Sequence, residues 1–386
     1  MDRQARIFTE AELEKMLKPL EQAFAPPAAY YTSKELYEKE VRTIFYKDWL
    51  FAGRVEELKK PGDYLVFTIV DEPVIVARDQ ANQLHAFSAV CRHRGAVIAS
   101  GQGNCRVFTC PYHSWVYSLD GKLTGAPEMN KLPGFKNSEY GLTPLKLETW
   151  EGMIFVNFDP ACEPLSVALG DFSKYLGNYK LADLVCTERR VYDFKCNWKM
   201  LVENAMEAYH IVGTHKTSSD TPYGQLKYWR AEQPNGLYDV LTFEHDEPLT
   251  MNVPGSTDKP VSLIETLSPE EKNRHYFALL YPNMLWILQP DSVVYFLMLP
   301  VSPDKVQVVC DWAFPKSTVE RPDFADISKA AVEGVDGFNQ QDVEILDLTY
   351  QGYQSRIFQP GRFSQHEPIP HRFARFILNR TIGRGM

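Results

Sequence analysis

The sequence predicts an α+β protein in which a small all-β domain is inserted into a larger mixed domain. Three observations carry this. From Asp63 onward, short apolar runs (YLVFTIV, PVIVAR, LHAFSAV, RVFTCP, WVYSLDG) are separated by Gly, Asp, Asn and Pro as far as GMIFVNFDP at 152–160. This is the pattern of short strands joined by tight turns. Before it, Tyr37, Val41, Ile44, Phe45 and Trp49 recur at helical spacing, which predicts an amphipathic helix over 34–49. After Pro160, helical stretches near 199–211 and 325–353 flank strand-like runs at 274–301 and 305–314. A chain of 386 residues has room for two or three domains. The expected division is 1–44 as a helical part of the larger domain, 45–160 as the β domain, and 161–386 as the remainder.

Composition removes several functional classes. With 44% hydrophobic residues, 24% charged residues and a net charge of −9, the chain is neither disordered nor built to bind nucleic acid. No apolar run approaches about 18 residues, so no membrane span is expected. The first residues, MDRQARIFTEAELEKM, are charged throughout and do not read as a secretory signal. Seven cysteines in such a chain point to a reducing, cytoplasmic location, with cysteine used for metal binding or packing.

The β segment contains C-R-H-R-G at 91–95 and C-P-Y-H-S-W at 110–115, with sixteen residues between His93 and Cys110. Each half offers one thiol and one imidazole beside turn-forming residues, so two loops can aim Cys91, His93, Cys110 and His113 at one site. Four unrelated residues are the bland reading, and two tight clusters of ligand types argue against it. Structural zinc sites keep cysteines and histidines in separate pairs. Mixed halves suit a cluster with two unlike irons, one held by two thiolates and one by two imidazoles. Cys105 fits no ligand position and reads as a packing residue.

The second constellation lies in NWKMLVENAMEAYHIVGTH at 197–215. On a continuous helix Glu203, Glu207 and His210 fall within about 40° of one another. The surrounding residues are apolar around much of the circumference. Ionisable groups on a buried stripe need partners, although a solvated polar face with incidental histidines is the alternative. His215 shares a ligand with His210 only if the helix breaks, and Gly213 is the expected break. A facial triad of two His and one acid needs a carboxylate from elsewhere. In the late helix Asp336, Glu344 and Asp347 group as a solvated face. Asp342 lies opposite, among Val335, Phe338, Ile345, Leu346 and Thr349, where a metal explains an acid.

The spacing C-x-H-x16-C-x2-H, with Arg-Gly after the first His and Tyr-His-x-Trp at the second, resembles the Rieske domain of the Rieske non-haem iron oxygenases (ring-hydroxylating α subunits). The downstream residues Asn197, Trp198, Lys199, Glu203, Asn204, Glu207, Tyr209, His210, His215 and Asp342 are similar to that family's catalytic-domain pattern. The resemblance spans roughly residues 28–375. It implies a Rieske [2Fe–2S] cluster with Cys91 and Cys110 on one iron and His93 and His113 on the other. It further implies a mononuclear Fe(II) held by His210, His215 and Asp342. The implied catalytic domain is an antiparallel sheet with flanking helices, of the helix-grip or START-like kind. Ala89 stands where many relatives carry Asn, which puts one local hydrogen bond in doubt. Glu207 and Asn204 are the implied catalytic residues, with Glu207 linking an iron ligand to the cluster of a neighbouring subunit.

The resemblance also implies the reaction: O2 and two electrons oxidise a small organic substrate. Glu at 207, where most ring-hydroxylating relatives carry Asp, resembles the branch that oxidises choline, glycine betaine and carnitine. Monooxygenation or N-demethylation of a methylated amine, or C–H hydroxylation, is therefore the first expectation. Arene cis-dihydroxylation is the second. A Rieske electron carrier is the third, and such a carrier needs only the β domain. Gly101-Gln-Gly103 lacks the third Gly of a dinucleotide loop, and no plant-type ferredoxin run is present. Electrons must come from a separate NAD(P)H-dependent flavin or iron–sulfur reductase, directly or through a ferredoxin. A homotrimer is implied, with β subunits left open. Aromatic residues such as Tyr223, Tyr228, Trp229, Phe243, Tyr276 and Phe277 are candidates for a pocket, and Arg230 and Arg274 for carboxylate binding.

Overall fold

Alternating apolar runs in the segment after Asp63 form strands because each presents one face to a core and breaks at Gly, Asn or Asp. The computed structural model describes residues 7–215, 229–248 and 261–384. The chain divides into two compact units, one of Phe45–Leu165 and one of Met1–Ile44 with Ser166–Met386.

The first unit holds ten strands: β1 (Leu50–Arg54), β2 (Asp63–Ile69), β3 (Glu72–Arg78), β4 (Leu84–Ser88), β5 (Gln102–Asn104), β6 (Phe108–Thr109), β7 (Val116–Tyr117), β8 (Leu123–Gly125), β9 (Pro144–Trp150) and β10 (Met153–Asn157). They make a seven-stranded sheet in the order β1-β10-β9-β4-β3-β2-β5 and a three-stranded sheet β6-β7-β8. All pairings are antiparallel. A core that includes Ile75, Phe87, Phe108, Trp115, Tyr117 and Leu123 also takes in Cys91 and Cys110. Ala89 is fully buried in that core. Its amide donates to Pro73 O and its carbonyl accepts from Ile98 N, so the small residue leaves the backbone fully paired.

The second unit is built on strands β11 (Leu184–Phe194), β12 (Trp229–Ala231), β13 (Tyr238–Glu244), β14 (Arg274–Leu280), β15 (Met284–Leu288), β16 (Val293–Ser302) and β17 (Lys305–Pro315). Their order is β11-β17-β16-β15-β14-β13-β12, antiparallel throughout. The helix Phe324–Tyr353 packs along this sheet through Phe314 against Phe324 and a hydrogen bond from Tyr192 Oη to Asp336. The helix Pro368–Ile382 is tied to it by the Arg372–Asp239 ion pair. Among the described residues no helix is long and apolar enough to cross a membrane.

Three local expectations change. The helix expected over 34–49 runs from Lys34 to Glu40 and ends in a wide turn at Val41–Phe45. The expected helix over 199–211 stops at Ala205. Asp336 is half-buried on Tyr192 rather than part of a solvated face, which Glu344 does occupy.

Candidate metal centres

In the β unit two loops present the thiols and imidazoles, and they share one backbone plan. Gly95 N donates to Cys91 O and Cys91 N to Ala96 O, while Ser114 N donates to Cys110 O and Cys110 N to Trp115 O. Each loop turns through a left-handed residue, Gly95 (φ 77°) or Ser114 (φ 57°). At 95 glycine meets this without strain. The two imidazoles meet edge to face at 4.5 Å between centroids, and His93 stacks on Trp115 at 4.7 Å. Tyr117 Oη lies 3.2 Å from Cys91 Sγ and accepts from Arg92 N at 3.1 Å.

The donor set fits a two-iron cluster. His93 Nδ1 and His113 Nδ1 are buried yet have no hydrogen-bond partner among the described residues. Buried imidazole nitrogens of this kind call for a partner, and a metal supplies one. Desolvation, with His113 and Arg94 nearby, lowers the His93 imidazole from its ordinary range. Cys105 packs against the core beneath the loops, and all seven cysteines are free thiols.

In the second unit the N-W-K segment builds an anchor. Asn197 caps the helix Trp198–Ala205 by accepting from Lys199 N, and its amide donates to Pro303 O. Trp198 Nε1 donates to Glu40, and the buried Lys199 ammonium pairs with Glu40 at 2.6 Å. Glu40 thus receives two donors, and the helix is fixed to the Lys34–Glu40 segment. At the far end of the helix, Asn204 Nδ2 donates to Asp342 Oδ1 at 3.4 Å.

The chain leaves helical geometry at Met206 and re-enters it for one turn at Ile211–Thr214. Glu207 folds back over the break. Its carboxylate accepts from the amides of Tyr209 and His210 and from His210 Nδ1, the last at 2.7 Å. Glu203, Glu207 and His210 therefore do not share a helical stripe, because local hydrogen bonding by an acidic side chain competes with the helix ladder. The break lies before His210, and Gly213 sits inside the following turn without a left-handed φ. Glu203 belongs to a different environment. Its Oε2 accepts from Tyr31 at 2.6 Å, and its Oε1 is buried without a hydrogen-bond partner among the described residues. Burial pushes this carboxyl up to about 8.

The break brings His210 and His215 to 5.1 Å between ring centroids. His210 Nε2 lies 3.8 Å and His215 Nε2 3.4 Å from Asp342 Oδ1, and the three ligand atoms fall within 4.8 Å of one another. The Nδ1 atoms face away, His210 to Glu207 and His215 to Gln341 Oε1 at 2.7 Å. Both Nε2 lone pairs are thereby left for a metal. Two imidazoles and one carboxylate on one side of a divalent ion form the donor set of non-haem Fe(II) sites. Burial pushes the Asp342 carboxyl up, opposed by His210 and His215. Burial lowers His210, but the Glu207 bond and charge outweigh it and hold it above its ordinary value.

Gln341 was missed in the sequence. Its only signal is its place beside Asp342, since an amide carries no motif. Among the pocket candidates, Tyr223 and Tyr228 lie outside the described residues. Phe243 stacks on His275 at 4.4 Å and shares a sheet face with Phe277, whereas Tyr276 is buried on the other face beside Tyr179. Trp229 lies over His366. Arg230 and Arg274 both pair with Glu244.

Comparison with known proteins bears on both centres. Residues 48–136 match the Rieske [2Fe-2S] domain, and residues 181–381 match the ring hydroxylating alpha subunit catalytic domain. The chain is 28% identical over 351 residues to the chloroplastic choline monooxygenase of Beta vulgaris, covering 89% of this chain and 74% of the relative. It is 27% identical over 381 residues to the glycine betaine monooxygenase oxygenase subunit of Pseudomonas aeruginosa, covering 91% and 87%. Among solved structures, a quaternary ammonium Rieske monooxygenase superposes with a TM-score of 0.80 at 23% identity, covering 97% of this chain and 99% of the other. Naphthalene 1,2-dioxygenase with indole bound superposes at 0.75 and 19% identity, covering 97% and 95%. The fold is common to both chemistries. The catalytic-domain match alone spans more than half of the sequence, and the chain belongs to the ring-hydroxylating α-subunit family, the Rieske non-haem iron oxygenases that carry a [2Fe–2S] cluster and a mononuclear iron.

Proposed function

We propose that this chain is the oxygenase component of a monooxygenase that acts on a methylated amine, by hydroxylation at an N-methyl group or a neighbouring C–H position. The observation that carries the reading is the convergence of His210, His215 and Asp342 in a chain whose relatives are named choline and glycine betaine monooxygenases. His210, His215 and Asp342 would hold Fe(II), which would supply the oxygen chemistry. Family members take electrons from a reductase. Here that partner is an NAD(P)H-dependent flavin or iron–sulfur protein.

The chain's own residues divide the remaining work. Cys91, His93, Cys110 and His113 hold the cluster, whose histidine ligands raise its potential. His210, His215 and Asp342 hold the iron. Asn204 orients Asp342, and Glu207 orients His210 and offers an acid between that ligand and the cluster of a neighbouring subunit. A quaternary ammonium Rieske monooxygenase of the same fold is described with inter-subunit electron transfer, which supports an oligomer, read here as a homotrimer. The five cysteines outside the cluster, Cys105, Cys162, Cys186, Cys196 and Cys310, are free thiols, which supports a reducing, cytoplasmic location. Aromatic faces such as Phe243 and Phe277 suit a methylated cation.

Oxygen uptake with a Rieske reductase tests this reading. One panel contains methylated ammonium compounds and the other arenes, with products identified by mass. Formaldehyde or an N-dealkylated product from the first panel is expected. A cis-diol or phenol from the second panel, with no uptake on the first, would overturn the substrate class.

A further inference from the structure

Gln341 carries an inference that rests on the ligand reading above. The two histidines are held from behind by chemically unlike groups. His210 Nδ1 meets the carboxylate of Glu207 at 2.7 Å, and His215 Nδ1 meets the amide oxygen of Gln341, also at 2.7 Å. His215 is the more enclosed of the two, with a side chain 4% exposed against 19% for His210. Its ring stands perpendicular to Phe338 at 4.8 Å. Phe338 and Gln341 come from the same helix as Asp342, three residues apart and so on one face. One helical turn therefore supplies a ligand, an aromatic wall for a second ligand, and the acceptor that sets that ligand's tautomer.

We propose that Gln341 is a positioning residue of the mononuclear iron site, fixing His215 with its proton on Nδ1 and its lone pair on Nε2 directed at the metal. The two unlike acceptors thus orient both imidazoles. Groups that hold a metal-bound histidine typically change metal affinity 10–100-fold when removed.

The test is Fe(II) release to a chelator from the reconstituted protein, followed in wild type and in Gln341→Leu, Gln341→Glu and Asp342→Ala. Thermal unfolding and the visible spectrum of the cluster are recorded on each. Leucine keeps the helix propensity and approximate volume but removes the acceptor. Gln341→Leu is expected to release mononuclear iron about 10–100-fold more readily, with the cluster spectrum and unfolding temperature unchanged. Gln341→Glu restores an acceptor for Nδ1–H and is expected to restore retention, a rescue that a packing role does not predict. Wild-type retention in Gln341→Leu, beside an emptied site in Asp342→Ala, would overturn the role of Gln341 alone. Equal loss in Gln341→Leu and Gln341→Glu would also overturn it. Iron retained in Asp342→Ala would instead overturn the ligand assignment beneath it.

Discussion

The two candidate centres are built in opposite ways. In the β unit, each thiol and its imidazole lie within four residues of one another, on loops closed by their own backbone hydrogen bonds around Gly95 and Ser114. In the other unit the parts come from a broken helix and from a second helix more than a hundred positions later. The first site is a property of local turns over a small apolar core. The second exists only when the Asn197–Lys199 anchor, the Glu207 fold-back and the Phe324–Tyr353 helix are all in place. A local site tolerates changes elsewhere in the chain, whereas an assembled one depends on contacts distant from its ligands.

Ligand removal breaks the comparison most completely. His113→Ala is expected to abolish the cluster absorption and leave mononuclear iron in place. Asp342→Ala is expected to do the reverse. Turnover falls below detection in both, checked by metal analysis alongside oxygen uptake. Loss of both centres in either variant would show that they are not independent.

Glu207→Gln is a milder change. The amide oxygen still accepts from His210 Nδ1, so both centres stay loaded. Turnover is expected to fall on the order of 10–100-fold, because the charge behind His210 and the proposed bridging acid are lost. Full activity would remove Glu207 from the electron route.

Lys199→Met probes the anchor. It leaves the buried Glu40 carboxylate without its cation, a loss that typically costs about 3–5 kcal/mol. Denaturant unfolding of the catalytic unit should show the loss, with the cluster spectrum retained.

A further effect is expected in the pH dependence of stability. Glu203 is pushed up to about 8 when folded and ionises near 4.5 when unfolded. Between those values the native state holds a proton that the unfolded state has released. Stability therefore falls as pH rises from about 4.5 to about 8, and this contribution is flat above that window. One such group contributes about 1.4 kcal/mol per pH unit. Glu203→Gln removes this slope, so its stability relative to wild type should grow from pH 5 to pH 8. Parallel curves for the two proteins would contradict the buried, protonated assignment.

The same contrast explains what the sequence revealed. The Cys-His loops were legible because spacing and turn residues are local. The late helix was legible from its periodicity, and Asp342 stood out as an acid among apolar neighbours. The single stripe of Glu203, Glu207 and His210 was misread, since an ideal helix was assumed where the Glu207 carboxylate competes for backbone amides. Gln341 was invisible, because its partner lies on another element. That Arg230 and Arg274 share Glu244 was likewise invisible, because the three come from different strands. Asn197, Trp198 and Lys199 were visible as part of a pattern, but only the fold shows that they hold a helix through Glu40.

The central claim is that one chain carries both a two-iron cluster and a separate mononuclear iron. Iron and acid-labile sulfide measured per chain on protein reconstituted anaerobically test it most directly. The account predicts about three irons and two sulfides. Two irons and two sulfides would contradict the site at His210, His215 and Asp342, and stoichiometric zinc without sulfide would contradict both centres.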